Sequence, residues 1–396
     1  MPAGTPAVVV SSLVGEQDRA RIDQRRANAK APNTVGGYAS AWRRYSDWCA
    51  RRGAPPLPTH PEQMPLYQEA LAAYLAEADD TIAADGTPAY ARSTLESWSA
   101  AIGYHFGQAG LPNPARSAIV AETMTGIRKR RTAAGIGAKK ADPLLADMLT
   151  RIVTSIDVGA VGWKATVAAR RDIALLVVQY AAGLRRTELA NLWVGDVSRA
   201  GDPRDEYLLV RIRGSKKSPT DMEYVAVRRG EHARTCPWCA LLRWTSVLAA
   251  FDRALAAATR DPSGAGQLAI ERTLRRDDTA TDLHICDREW PRSPRLEVPL
   301  FRPLDRDGLP HPIAITDRSV PNILKSRATQ AGYEPAVVQG LRGHSARAGT
   351  ATQALAAGVD IYTVAKHLRH RDTRSTAAYD RRAPWAGHTA ADHLGL

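Results

Sequence analysis

Between Leu341 and Tyr379 the chain reads LRGHSARAGTATQALAAGVDIYTVAKHLRHRDTRSTAAY. His344 and Arg347 stand three residues apart, and His370 lies nine before Tyr379. Far upstream, GLRRTEL places Arg185 three residues before Glu188, and Lys216 and Lys217 sit in GSKKSPTDM between two β-rich runs. Singly, these groups have plain readings: a surface Arg/Glu pair, solvated turn lysines, a packing tyrosine. Together, two guanidiniums, an ammonium, two imidazoles and a phenol suit attack on a phosphodiester. The phenol is the nucleophile and leaves a covalent phosphotyrosyl link. Guanidiniums stabilise the charge that gathers on the non-bridging oxygens. A lysine whose pKa is lowered by neighbouring cations protonates the leaving sugar oxygen. The cations are built into the chain, so no metal or other cofactor is expected.

These groups need elements to carry them. A buried helix over Ile173–Ala181 breaks at Gly183, and a short second helix puts Arg185 and Glu188 on one face. YLLVRIR and EYVAV are strands of a hairpin with Lys216 or Lys217 at its tip, the sheet signal of the sequence. Residues 241–260 read as a helix, and 261–296 as an aperiodic insertion. Asp317 is a cap for a helix through Ala331. His344 and Arg347 share a helix ended near Gly358, Asp360 caps IYTVAKHLRH, His370 follows it, and Tyr379 sits in the short helical TRSTAAYDRR. Before all this come a polar tail over 1–30 and an all-α domain over 31–127. Its first helix, capped by Thr34, turns Tyr38, Ala41, Trp42, Tyr45 and Trp48 inward, and its second turns Leu66, Leu71, Tyr74 and Leu75 inward. Others start at Ser93 and run from Ser117 to Arg131. A basic extended linker covers 128–142, and the catalytic domain 143–396.

Composition narrows the partner. The 396 residues carry a net charge of +13, and 45 of the 54 cations are arginine. That balance points to a polyanion, and arginine's planar fork suits phosphate, although a genome rich in G and C also inflates arginine. Arg43, Arg44, Arg128, Lys129, Arg130, Arg131, Lys139 and Lys140 are the candidates for backbone contact in the first half. No run of apolar residues is long enough for a membrane span, and no basic region precedes the short apolar patch at Ala7–Val10, so no signal peptide is expected. Four cysteines fit a reducing interior. Cys236 and Cys239 form CPWC, which with His284 and Cys286 has the ligand types of a zinc site. The one-residue spacing of the downstream pair is an awkward bite, so helix-end packing is the expectation and no metal site is assigned.

GLRRTEL, a lysine hairpin, HSAR, LRH and a tyrosine nine residues after its histidine resemble, in that order, the tyrosine recombinase (phage integrase) family. The resemblance covers residues 142–385. It implies a mainly α fold with a small β-sheet, an α-helical core-binding domain followed by a mixed α/β integrase-like catalytic domain. Arg185 and Arg347 are then the phosphate-binding arginines, Tyr379 the nucleophile, and Lys216 the general acid, with Lys217 equally in reach. His344 supports transition-state oxygens and proton handling, His370 bonds the phosphate, and Glu188 backs Arg185. Arg369 stands where the family has glycine and adds a cation beside the site. The resemblance further implies a site-specific recombinase in the bacterial cytoplasm or nucleoid, acting on double-stranded DNA as a homotetramer on two sites. Accessory DNA-bending or directionality proteins can join it. A type IB topoisomerase and a catalytically silent DNA-binding protein on the same fold are the rival readings. The tail after Tyr379 can dock on a neighbouring protomer or pack on its own.

Overall fold

The computed structural model describes residues 14–28, 32–137, 141–202, 205–213, 222–259, 261–276 and 281–380. The chain divides into two compact units, Met1–Lys140 and Ala141–Leu396. No helix among the described residues is long and apolar enough to cross a membrane.

The first unit holds helices α1 (Glu16–Asn28), α2 (Pro32–Ala50), α3 (Met64–Asp80), α4 (Arg92–Gln108) and α5 (Ala118–Ala133). Its core is aromatic: Tyr45, Trp48, Tyr67, Tyr74 and Phe106 pack with Leu71, Leu75, Leu95 and Ile102. Three expectations change here. The first of the four packed helices begins at Pro32, so Thr34 lies inside its first turn. Leu66 faces solvent at 64% exposure, because it lies on the side of α3 opposite the buried Met64, Tyr67, Leu71 and Leu75. The fourth runs on to Ala133, so Arg128–Arg131 are helical and not part of an extended linker.

The second unit opens with α6 (Ala146–Val158), α7 (Trp163–Ala181) and α8 (Arg186–Ala190). An antiparallel sheet follows in the order β1 (Val197–Ala200), β2 (Tyr207–Ile212), β3 (Glu223–Val227). Its register sets Val197 opposite Val210 and Val210 opposite Val225, so the alternation of β2 buries one face of all three strands. Then come α9 (Pro237–Ala257), α10 (Pro262–Arg276), α11 (Ser319–Gln330), α12 (Pro335–Gly340), α13 (Ser345–Ala356), α14 (Ile361–Leu368) and α15 (Thr373–Ala377). The insertion read as aperiodic therefore contains a helix, α10, whose buried Gly266, Ile270 and Thr273 recur at helical spacing. Asp317 does not cap α11; it pairs with Arg186 at 3.2 Å.

Buried carboxylates organise much of the arginine. Asp79 takes Arg130 and Arg131, Asp172 takes Arg171 and Arg327, and Asp196 takes Arg211 and Arg213. Part of the arginine excess is thus internal structure. Arg302 grips Asp252 with both Nη atoms at 2.8 Å, and each side chain is only 3% exposed. Asp252→Ala leaves that guanidinium buried without its partner and is expected to destabilise the second unit by about 3–5 kcal/mol. Urea unfolding followed by tryptophan fluorescence checks this. Replacing both residues by leucine and methionine should cost clearly less, and equal losses would refute the account.

Candidate active site

The site grows from two helix ends. At the end of α7, Leu184 N donates to Gln179 O at 3.0 Å and Gly183 N to Tyr180 O at 3.2 Å, a Schellman turn. Gly183 has φ 56°, and a Cβ there would come within 2.4 Å of Leu368 Cδ2. Only glycine fits. The same pattern closes α14, where His370 N donates to Ala365 O at 2.9 Å and Arg369 takes φ 56°. A non-glycine residue in that conformation costs about 1 kcal/mol. Its side chain offsets the strain, because Nη2 donates to Glu188 Oε2 at 2.8 Å and Nη1 to His367 O at 3.0 Å.

Arg347 joins the two ends. It lies in the first turn of α13 and is 2% exposed. Nη1 donates to Gly183 O at 2.6 Å, and Nη2 donates to Leu368 O. Gly183 also turns the chain so that Arg185 opens α8. The Arg185 amide donates to Glu188 Oε2 at 2.9 Å, its Nη1 pairs with Glu188 Oε1, and its Nη2 reaches Arg369 O at 3.4 Å. Glu188 is therefore shared by two guanidiniums, one of which, Arg185, keeps about a third of its side chain in solvent.

His370 Nδ1 lies 2.8 Å from Thr376 Oγ1, and its ring lies parallel to that of Tyr379 with centroids 6.0 Å apart. Tyr379 sits just past the end of α15, not within it, with its amide on Thr376 O at 2.9 Å. Thr352 of α13 donates to its carbonyl at 3.2 Å, and its half-buried ring packs on Leu355, Val364 and Leu368. The nucleophile candidate is thus docked on its own chain.

Electrostatics follow from crowding. Burial first, then Arg185 and Arg369, presses Arg347 down to about 9, still cationic at neutral pH. Burial and the same kind of repulsion, chiefly from Arg347 and Arg185, hold His370 at about 4. Partial burial, Arg347, Arg186 and Arg185 likewise lower His344. Burial acts to raise Glu188, but Arg369 and Arg185 together outweigh it and keep the carboxylate ionised. The result is a cationic floor with neutral imidazoles at its edge, an arrangement suited to an anion and to proton transfer.

The structure thus brings Arg185, Glu188, His344, Arg347, His370 and Tyr379 into one neighbourhood. Lys216 and Lys217 lie outside the described residues, as do Lys139 and Lys140. In the first unit Arg43, Arg44, Arg128 and Lys129 are exposed. Arg130 is committed to Asp79 and Asp80, and Arg131 is corrected outright: it is buried, with Nε on Asp79 Oδ1 at 2.6 Å, and cannot reach a ligand. Arg369 differs from expectation too. It is a positioning residue that holds Glu188, with its side chain 6% exposed, and not an additional open cation. A cation at a helix end where glycine is usual was its only sequence signal. Cys236 does begin α9, yet with Cys239 it also meets His284 and Cys286.

No family model matches the chain. It is 24% identical over 360 residues to an integrase/recombinase xerD homolog of Selenomonas ruminantium, covering 91% of this chain and 84% of that protein. Solved structures it is similar to include the Tn1549 transposon integrase in complex with a circular intermediate DNA, at 14% identity, 95% and 96% coverage and a TM-score of 0.48. A lambda integrase dimer bound to a core site matches at 13% identity, 94% and 97% coverage and a TM-score of 0.41. With that likeness along nine-tenths of its length, and Arg185, Glu188, His344, Arg347, His370 and Tyr379 in motif order around one buried arginine, the chain is similar to the tyrosine recombinases.

Proposed function

We propose that this chain is a site-specific DNA recombinase that cleaves and rejoins duplex DNA through a 3′-phosphotyrosine. The observation that carries the reading is the meeting of Arg185, His344, His370 and Tyr379 around Arg347, where two helix ends converge. In this reaction Tyr379 Oη bonds to phosphorus as the bond from phosphorus to the 5′ oxygen breaks. Arg185 and Arg347 bind the non-bridging oxygens. The neutral imidazoles of His344 and His370 are the acceptors at hand for the phenol proton, and Lys216 (or Lys217) delivers a proton to the departing 5′ oxygen. Rejoining reverses these steps on a new strand, without ATP. The first unit is the DNA-clamping domain, with Arg43, Arg44, Arg128 and Lys129 on phosphates. Four copies assemble on two sites in the bacterial cytoplasm, with accessory proteins setting direction.

A nicked duplex of the neighbouring genomic DNA tests the reading. Mixed with the protein and run on a denaturing gel, it should trap a covalent complex on specific sequences. Relaxation of supercoiled plasmid lacking any such site would favour a topoisomerase instead. Lys216→Ala is expected to slow cleavage by about 10²–10⁴-fold. A 5′-bridging phosphorothiolate, which needs no proton to leave, should restore it. Rescue of Lys217→Ala instead would move the assignment by one residue.

Binding should also take up protons. A phosphate among Arg185 and Arg347 offsets the repulsion that helps to lower His344 and His370, while burial, the larger cause, persists, so both rise part of the way in the complex. A group whose pKa is higher bound than free binds better as the pH falls through that interval, here from about 6.5 towards 4. Calorimetry in two buffers of different ionisation enthalpy, both at pH 6, measures the uptake; zero uptake would refute it.

A further inference from the structure

Well separated in sequence from the site, three cysteines and a histidine converge. Cys236, Cys239, His284 and Cys286 place one ligand atom each within 4.8 Å of one another. Cys239 Sγ lies 3.3 Å from Cys286 Sγ and 3.5 Å from His284 Nδ1; Cys286 Sγ lies 3.4 Å from His284 Nδ1 and 3.5 Å from Cys236 Sγ. Two sulfurs bound tetrahedrally at about 2.3 Å from one zinc ion sit about 3.8 Å apart, so sub-ångström shifts complete the shell. The short His-x-Cys spacing proves no obstacle, because imidazole and thiol point to the same spot.

The surroundings are those of a metal knuckle. His284 Nε2 lies 3.1 Å from Glu231 O, which fixes the proton there and frees Nδ1 as a donor pair. Gly230 N donates to Cys236 Sγ and Ile285 N to Cys239 Sγ, both at 3.3 Å, the bonds that stabilise thiolates. A Cβ on Gly230 would come within 2.8 Å of Cys236 Cα, so this close turn needs glycine. Cys236 also stands at the N-terminus of α9, where negative charge is favoured. Three thiols cannot all pair as disulfides, whereas three thiolates and an imidazole make a closed shell for a divalent d¹⁰ cation.

We propose that Cys236, Cys239, His284 and Cys286 bind one structural zinc ion. It pins the segment after α10 to the start of α9 and to the turn leaving β3. With no position left for water, the ion is structural and takes no part in strand cleavage. Arg199 braces the same segment, with its guanidinium on Cys286 O and on Arg288 O at 2.8 Å.

The test is metal content. The full chain, purified without chelator and with any affinity tag removed, should carry about one zinc per chain by plasma mass spectrometry. Exchange into cobalt(II) should give the intense visible absorption of a tetrahedral thiolate site. His284→Cys should keep the ion, and Cys286→Ala should reduce it to below about a tenth per chain. Should Cys286→Ala fail to fold, the cobalt spectrum of the unaltered chain decides alone. Four freely titrating thiols with neither zinc nor a cobalt spectrum would overturn the assignment, as would a disulfide between any two of the three cysteines.

Discussion

Tyr379→Phe is expected to form no covalent complex with nicked DNA while binding the same duplex with unchanged affinity. The substitution removes one oxygen. The ring's contacts with Leu355, Val364 and Leu368 and the bond from Thr352 to the Tyr379 carbonyl survive it. Stability should therefore move little, and the loss, on the order of 10⁴-fold or more in cleavage, reports the missing nucleophile. Denaturing gels give the covalent fraction and native gels the affinity. Residual cleavage near the normal rate would assign the nucleophile elsewhere, and weakened binding would show that the hydroxyl holds DNA.

Arg347→Lys should be the next most severe. Lysine keeps the charge but cannot span Gly183 O and Leu368 O while offering a planar fork to phosphate. Loss of one such donor set costs about 10²–10³-fold in the chemical step. The two helix ends also lose their common tie, so some stability goes as well. Single-turnover cleavage of pre-bound DNA, read beside thermal unfolding, separates these effects. If Arg347→Lys cleaves normally, the buried guanidinium is a strut and not a phosphate ligand.

The site was legible because its motifs are local. Arg185 with Glu188, and His344 with Arg347, lie within one helical turn, and Asp360 marks the start of α14 as its residue type promises. What stayed hidden depends on partners far along the chain. Arg131 reads as a DNA-facing cation until Asp79, 52 positions earlier, buries it. The strand Val197–Ala200 is only four residues long and exists through its pairing with β2. The helix of the insertion hides its apolar stripe behind glycine and threonine, residues whose burial comes from α9 and not from their own hydrophobicity. Cys236, Cys239, His284 and Cys286 were legible by type, but with 45 to 50 positions between the two pairs their convergence was not.

The turn built on Arg369 has one more consequence, visible as a charge balance. Arg185, Arg347 and Arg369 set three guanidiniums around the buried carboxylate of Glu188, while the more exposed Glu223 lies 3.7 Å from Arg369, so the pocket wall stays net positive. A phosphodiester at rest carries one negative charge, and the five-coordinate phosphorus formed on attack carries two. A net positive wall favours the doubly charged transition state over the singly charged substrate, a difference that lowers the barrier. A glycine at position 369 would relieve the backbone and remove one of those charges. It would also return all of Glu188 to Arg185, drawing that guanidinium back from the phosphate. In this chain the strained turn is how the pocket keeps its third guanidinium.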